Sequence, residues 1–244
     1  MMVETVLFGS QTVQVVDLTH VMDLDSQIFP GDPCPKREVF SEITQTGYEH
    51  YVHNISDHFF APHADAPNHQ CPELQHKGVE NWGFNMEFNR ALLVDLQHHA
   101  DAKVFDSIPL LIKIAVSHLK PYEKLLHEVS ALVVRTGSEN WRLNNKSYSP
   151  EVIPHFSKEA GEYVASFDNI KVVGIDSLTV DEVVPSKPVH DVHWIFKEKL
   201  IIESLVHLDQ IPEEFRNGFL LQTALLKIKG ATGCPVIARG YLIK

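Results

Sequence analysis

The sequence lacks several features that would place it in a familiar class. No run approaches the roughly 18 apolar residues of a membrane span, so no membrane association is expected. Cysteine is scarce. Cys34, Cys71 and Cys234 are far apart and form no CxxC pair, and an odd number argues against a secreted disulfide scaffold. Basic residues are outnumbered, 21 Lys and Arg against 32 Asp and Glu, for a formal net charge of -11. That balance speaks against nonspecific binding of nucleic acid or anionic membranes. There is no G-x-S-x-G elbow and no P-loop, so a serine hydrolase or nucleotide-phosphate enzyme finds no support. Repeats, low-complexity segments and Gly/Ser linkers are also missing. The first residues carry an early Glu4 and no basic stretch, unlike a signal peptide. With the cysteine usage, this leads us to expect a reducing cytoplasm.

What remains is an ordinary globular composition, 44% hydrophobic over 244 residues, enough for one substantial core and a single domain over residues 1–244. Short β-branched or apolar runs at Thr12 to Leu18, Arg90 to Leu96, Ser130 to Gly137 and Asn169 to Asp176 read as strands. "KLIIESLVHLDQI" reads as a strand leaving toward a loop, and the last residues as two strands around a Gly-Ala-Thr-Gly turn. One helix follows Ser157, a credible N-cap, with apolar Ala160, Tyr163, Val164 and Phe167 at helical spacing. Many strands mixed with about three helices predict an α/β fold with a mixed sheet or barrel-like core.

The chemistry concentrates in "DHFFAPHADAPNHQ", Asp57 to Gln70. In an extended segment, residues two apart share a face, so His63 and Asp65 point together. Imidazole nitrogen and carboxylate oxygen suit zinc, manganese or iron(II). His69, beyond Pro67, is placed to act as a general acid/base, since an unperturbed imidazole titrates at about 6.5. Taken alone, the stretch could also be a surface turn with polar tips.

The segment resembles the signature His-x-Gly-Thr-His-x-Asp-x-Pro-x-His of the metal-dependent cyclase-like hydrolases, which include bacterial kynurenine formamidase and isatin hydrolase. His63, Asp65, Pro67 and His69 match its later half. "VVDLTHVMDLDSQIFPGDP", "LVVRTGSENW", "VVGIDSLTVDE", "IIESLVHLDQIP" and "TGCPVIARGYL" resemble further segments in family order across nearly the whole chain. The resemblance implies a swivelling β/β/α fold, a homo-oligomer (dimer or tetramer), and one or two divalent ions, zinc or manganese. It implies hydrolysis of an amide, formamide, lactam or lactone in a small substrate. In that reading His63 and Asp65 ligate metal, and His69 shuttles a proton from the attacking water to the leaving group.

Two departures stand out. The family's first histidine lies four residues before the second, a position held here by Phe59, with His58 one residue earlier and Ala61-Pro62 replacing Gly-Thr. Either a one-residue bulge returns His58 to the metal, or Phe59 occupies the ligand position and the site has lost one ligand; in either case Phe59 is expected to contribute to an aromatic rim that binds substrate. Around a second ion, the family places a histidine twelve residues before the glutamate that is Glu203 here. That position is Asp191, flanked by His190 and His193. The family's Pro-Val-His favours His190 with Glu203; Asp191 could also ligate, or all three could simply begin a surface helix. A relative that kept the fold and lost the metal is the competing expectation.

Overall fold

A computed structural model describes residues 3–8, 11–24, 29, 32–58, 62–82, 87–144, 149–184 and 191–243. Among these, nine strands form the main sheet: Val3–Phe8 (β1), Gln11–Asp17 (β2), His63–Asp65 (β3), Phe88–Asp95 (β4), Ala131–Arg135 (β5), Val172–Ile175 (β6), Leu200–Glu203 (β7), Phe219–Leu225 (β8) and Gly233–Leu242 (β9). Their order is β1-β2-β9-β8-β4-β5-β6-β7-β3, and β3 pairs again with β9. The stretch from β9 round to β3 is therefore a closed barrel of seven strands. Strands β4 to β7 run parallel; β3, β8 and β9 pair antiparallel to their neighbours. This is the mixed, barrel-like α/β fold that the sequence predicts.

The apolar runs are continuous because the parallel strands are buried on both faces. Leu92, Val94, Leu132, Val134 and Val173 pack in one cluster with Ala160, Val164, Phe167, Val192 and Phe196. The alternate residues Ala91, Leu93, Ala131, Val133 and Val172 join Ala64, Ile202, Leu221 and Ala238 in a second cluster. The helices used below are Ser138–Leu143 (α1), Lys158–Ala165 (α2) and Asp191–Ile195 (α3). α2 starts as the sequence indicates: the Ser157 hydroxyl accepts from the Ala160 amide at 3.1 Å, satisfying one of the orphan donors of a helix start. No described helix is long and apolar enough to cross a membrane.

Closure of the barrel positions the site. The short strand β3 lies between β7 and β9, with His63 opposite Glu203 and Pro235, and Asp65 opposite Ile201 and Gly233. Residues distant in sequence thus become cross-strand neighbours. Just beyond Glu203 the chain turns sharply through Ser204, whose φ of 62° is left-handed. That conformation costs a non-glycine residue roughly 1–2 kcal/mol. The turn is held by Arg142 of α1, whose Nη2 donates to the Ser204 carbonyl at 2.7 Å.

Candidate metal centre

Asp65 is the centre of the cluster. It is 2% exposed, and both of its oxygens face imidazoles. Oδ1 lies 2.7 Å from His58 Nδ1 and 3.4 Å from His63 Nε2. Oδ2 lies 2.9 Å from His193 Nε2. Glu203 closes the ring, 3.6 Å from His63 and 3.4 Å from His193, and its Oε1 accepts from the Val180 amide at 2.8 Å. His63, Asp65, His193 and Glu203 are all buried. His69 is partly exposed at the rim, as His58 is, on the turn Pro67–His69, with its ring 4.0 Å from that of His58 and 5.7 Å from that of His193.

The charges explain one another. Burial alone would raise the Asp65 carboxyl, but the charge of His63 and the hydrogen bonds from His193 and His58 outweigh it and hold the group well below its usual range. Burial and the neighbouring Asp65 push Glu203 well above its own. Burial would lower His193, yet its bonds to Asp181 and Asp65 raise it well above an ordinary imidazole.

The donor set fits a divalent cation. Ligand atoms about 2.1 Å from a metal lie roughly 3.0–3.4 Å from one another in octahedral or tetrahedral shells. The spacings between the imidazole nitrogens and the oxygens of Asp65 and Glu203, 2.7 to 3.6 Å, bracket that range. Several are long for hydrogen bonds, as expected of groups that share a cation. A second group, His99, Asp101 and His118, fits poorly. His118 Nδ1 accepts from the Ala115 amide and His99 Nδ1 from the Asp101 amide. In both neutral rings the proton is then on Nε2, leaving no lone pair there for a metal.

Of the residues expected from the sequence, His58, His63, Asp65, His69 and Glu203 come together. His58 does so from a turn at Asp57–His58; among the described residues strand β3 begins at His63, and the residues between, where a bulge would fall, lie outside the described ones. Phe59 and His190 lie outside the described residues. Asp191 does not join the cluster: it is exposed at the first position of α3. The reading of a surface helix is corrected for His193, which is 5% exposed and points at Asp65. Phe29 packs against Ile153 and Leu178.

The residue that sequence reasoning missed is Asp181. Its Oδ1 accepts from the Val192 amide at 2.7 Å, and its Oδ2 accepts a hydrogen bond from His193 Nδ1–H. One carboxylate thus anchors the start of α3 and holds the Nδ1–H of His193, so that Nε2, which faces Asp65 and Glu203, is the nitrogen that would give up its proton to a bound cation. Asp181→Asn keeps the shape and the Val192 bond but presents an amide N–H to Nδ1, which forces the other tautomer and puts a proton on Nε2. Metal affinity should fall roughly 10–100-fold, the usual cost of losing such a partner. A competition titration with a chromophoric chelator measures it, and unchanged affinity would refute the role.

Comparison with known proteins places this geometry. The family model described as "Putative cyclase" matches residues 16–182. Cyclase-like protein 2 of Oryza sativa subsp. japonica is 27% identical over 186 residues, 75% of this chain; the chain spans 61% of that protein's length. Among solved structures, isatin hydrolase A from Labrenzia aggregata bound to benzyl benzoate superposes with a TM-score of 0.76 at 19% identity, covering 95% of this chain and 94% of the other. Isatin hydrolase A from Ralstonia solanacearum gives 0.75 at 18%, covering 95% and 92%. A structure described as a potential metal-dependent hydrolase with cyclase activity gives 0.69 at 19%, covering 95% and 100%. With its model matched over more than half of the sequence, the chain belongs to the cyclase family.

Proposed function

We propose that the protein is a metal-dependent hydrolase that opens an amide, formamide, lactam or lactone bond in a small, aromatic substrate. The observation that carries this is the gathering of His58, His63, His193 and Glu203 around the buried carboxylate of Asp65, with His69 at the rim. Isatin hydrolases share its fold, and isatin is a small cyclic aryl amide. In this reading His58, His63 and Asp65 would hold zinc or manganese, and Asp65, His193 and Glu203 would hold a second ion. A bound divalent ion supplies Lewis acidity, lowering the pKa of water to about 7 and polarising a carbonyl.

The chain's own groups do the rest. Asp65 and Glu203 neutralise the ion and fix its place, and Asp181 fixes the tautomer of His193. His69 is close enough to the cluster to take the proton of the attacking water and deliver it to the departing nitrogen or oxygen. The resemblance-based expectation of a homo-oligomer is supported by the exposed hairpin Lys36–Ser41 and His50–Asn54, where Val39, Phe40 and Val52 are more than 40% exposed.

Protein purified without chelator should carry about one or two transition-metal ions per chain by elemental analysis. It should hydrolyse isatin or an aryl formamide, and lose that activity on dialysis against a chelator. Metal-free protein that hydrolyses either substrate would overturn the mechanism. Protein that neither holds metal nor turns over would establish the competing reading, a binding protein on the same fold.

A further inference from the structure

His58 is one residue out of step with its expected position, yet its ring sits beside Asp65. The surroundings of that ring account for this. Gly233 lies opposite Asp65 across the β3–β9 pair, so the place its side chain would take is next to the carboxylate. The imidazole of His58 fills that place. A Cβ on Gly233 would stand 2.7 Å from His58 Cε1, 2.9 Å from Nδ1 and 2.8 Å from the Ala64 carbonyl. The glycine has no positive φ to explain it; the close approach of the ring and of the Ala64 carbonyl does.

The other ring nitrogen is also held. Thr232 Oγ1 lies 3.0 Å from His58 Nε2. The Thr232 hydroxyl and amide both reach Asp57 Oδ2, at 3.4 and 3.2 Å. A carboxylate only accepts, so the hydroxyl donates a hydrogen bond to Asp57 Oδ2 and accepts one from His58 Nε2–H. Thr232 is fixed in turn, because its carbonyl accepts from the Ala66 amide at 2.9 Å. The Ser56 hydroxyl accepts from the His58 amide at 3.3 Å and pins the near side of the turn.

We propose that Asp57, Thr232 and Gly233 form a cradle that turns His58 back into the metal centre and presents its Nδ1 nitrogen, rather than Nε2, as the ligand beside Asp65. The relay Asp57–Thr232–His58 keeps a proton on Nε2, so that Nδ1, beside Asp65 Oδ1, is the nitrogen that would exchange its proton for a cation. Two acceptors 2.7 Å apart repel unless a proton or a cation lies between them. Nδ1 is also the ring nitrogen nearer the backbone, which suits a histidine reaching the site from a displaced position. Asp57, Thr232 and Gly233 are positioning residues: they act through His58. The inference rests on the metal-dependent reading above.

The test is metal affinity, with zinc as the probe, measured by competition titration on the full chain and its variants. Thr232→Val keeps the shape and removes the hydroxyl; Gly233→Ala removes the space. Each should weaken zinc binding roughly 10–100-fold, Thr232→Ser should restore it, and Thr232→Val should cost nothing further once His58→Ala is present. In the zinc-loaded, ¹⁵N-labelled protein, His58 should show its proton on Nε2. Equal affinity for wild type and Thr232→Val, or a His58 proton on Nδ1 in the zinc-loaded protein, would overturn the cradle while leaving the metal-dependent reading intact. A wild type that takes up no zinc, manganese or iron(II) would overturn that reading and the cradle with it. A variant that fails to fold is recognised by circular dichroism, and the Thr232→Ser and Thr232→Val pair, which differ least in shape, then decides.

Discussion

Asp65→Asn is expected to abolish metal binding and to lower turnover about a thousandfold. The substitution conserves volume, and the backbone pairing of β3 with β7 and β9 does not involve the side chain. What changes is the acceptor count. Asp65 uses one oxygen toward His58 and His63 and the other toward His193. Asparagine offers a single neutral oxygen and points two N–H donors at whichever side it abandons. Neither orientation serves both halves of the cluster, and the negative charge that offsets the cation is gone. A bound metal contributes several kcal/mol to the transition state of such a hydrolysis, and each 1.4 kcal/mol is about a factor of ten. About 4 kcal/mol lost therefore gives roughly 10³-fold. Elemental analysis and single-turnover rates on the same preparation check it. A variant that retains stoichiometric metal and turns over within about tenfold of wild type would remove Asp65 from the centre of the mechanism.

Much of this arrangement is legible in the sequence, and what is not has identifiable causes. His63 and Asp65 follow from the two-residue period of a strand, which needs only local geometry. Glu203 comes from resemblance, because its place opposite His63 is a matter of register between strands far apart in sequence, and periodicity carries no register. His193 is one of three candidates. A helix of five residues has too few turns to show a buried face, and the face that α3 presents is set by Asp181, a tertiary partner twelve residues upstream. A count of twelve from Glu203 selects the exposed Asp191 instead. The Gly-Ala-Thr-Gly stretch reads only as a turn. Its last glycine looks like turn chemistry until the ring of His58 is seen to occupy its Cβ position. The parallel strands are the easiest elements, since burial on both faces leaves uninterrupted apolar runs.

His69→Ala separates the two roles that proximity allows this residue. Its ring is close to His58 and near His193, and a nitrogen of His69 lies within 4.8 Å of donor atoms on His58 and Asp65. Distance alone would permit it to ligate. Its place at the rim points to proton transfer. His63, Asp65, His193 and Glu203 are buried, whereas His69, like His58, is partly exposed, and it sits on a turn that begins at Pro67 rather than on a barrel strand. A group that must exchange protons with the attacking water, the leaving atom and finally solvent belongs at that boundary. Turnover should slow by roughly 10²–10⁴-fold, the usual range for a lost general acid/base, with zinc affinity within a few-fold of wild type. The acid/base limb of the pH–rate profile attributable to His69 should flatten, and an exogenous imidazole should restore part of the rate. If zinc affinity falls in parallel with turnover, His69 is a ligand, and the proton must travel by another group.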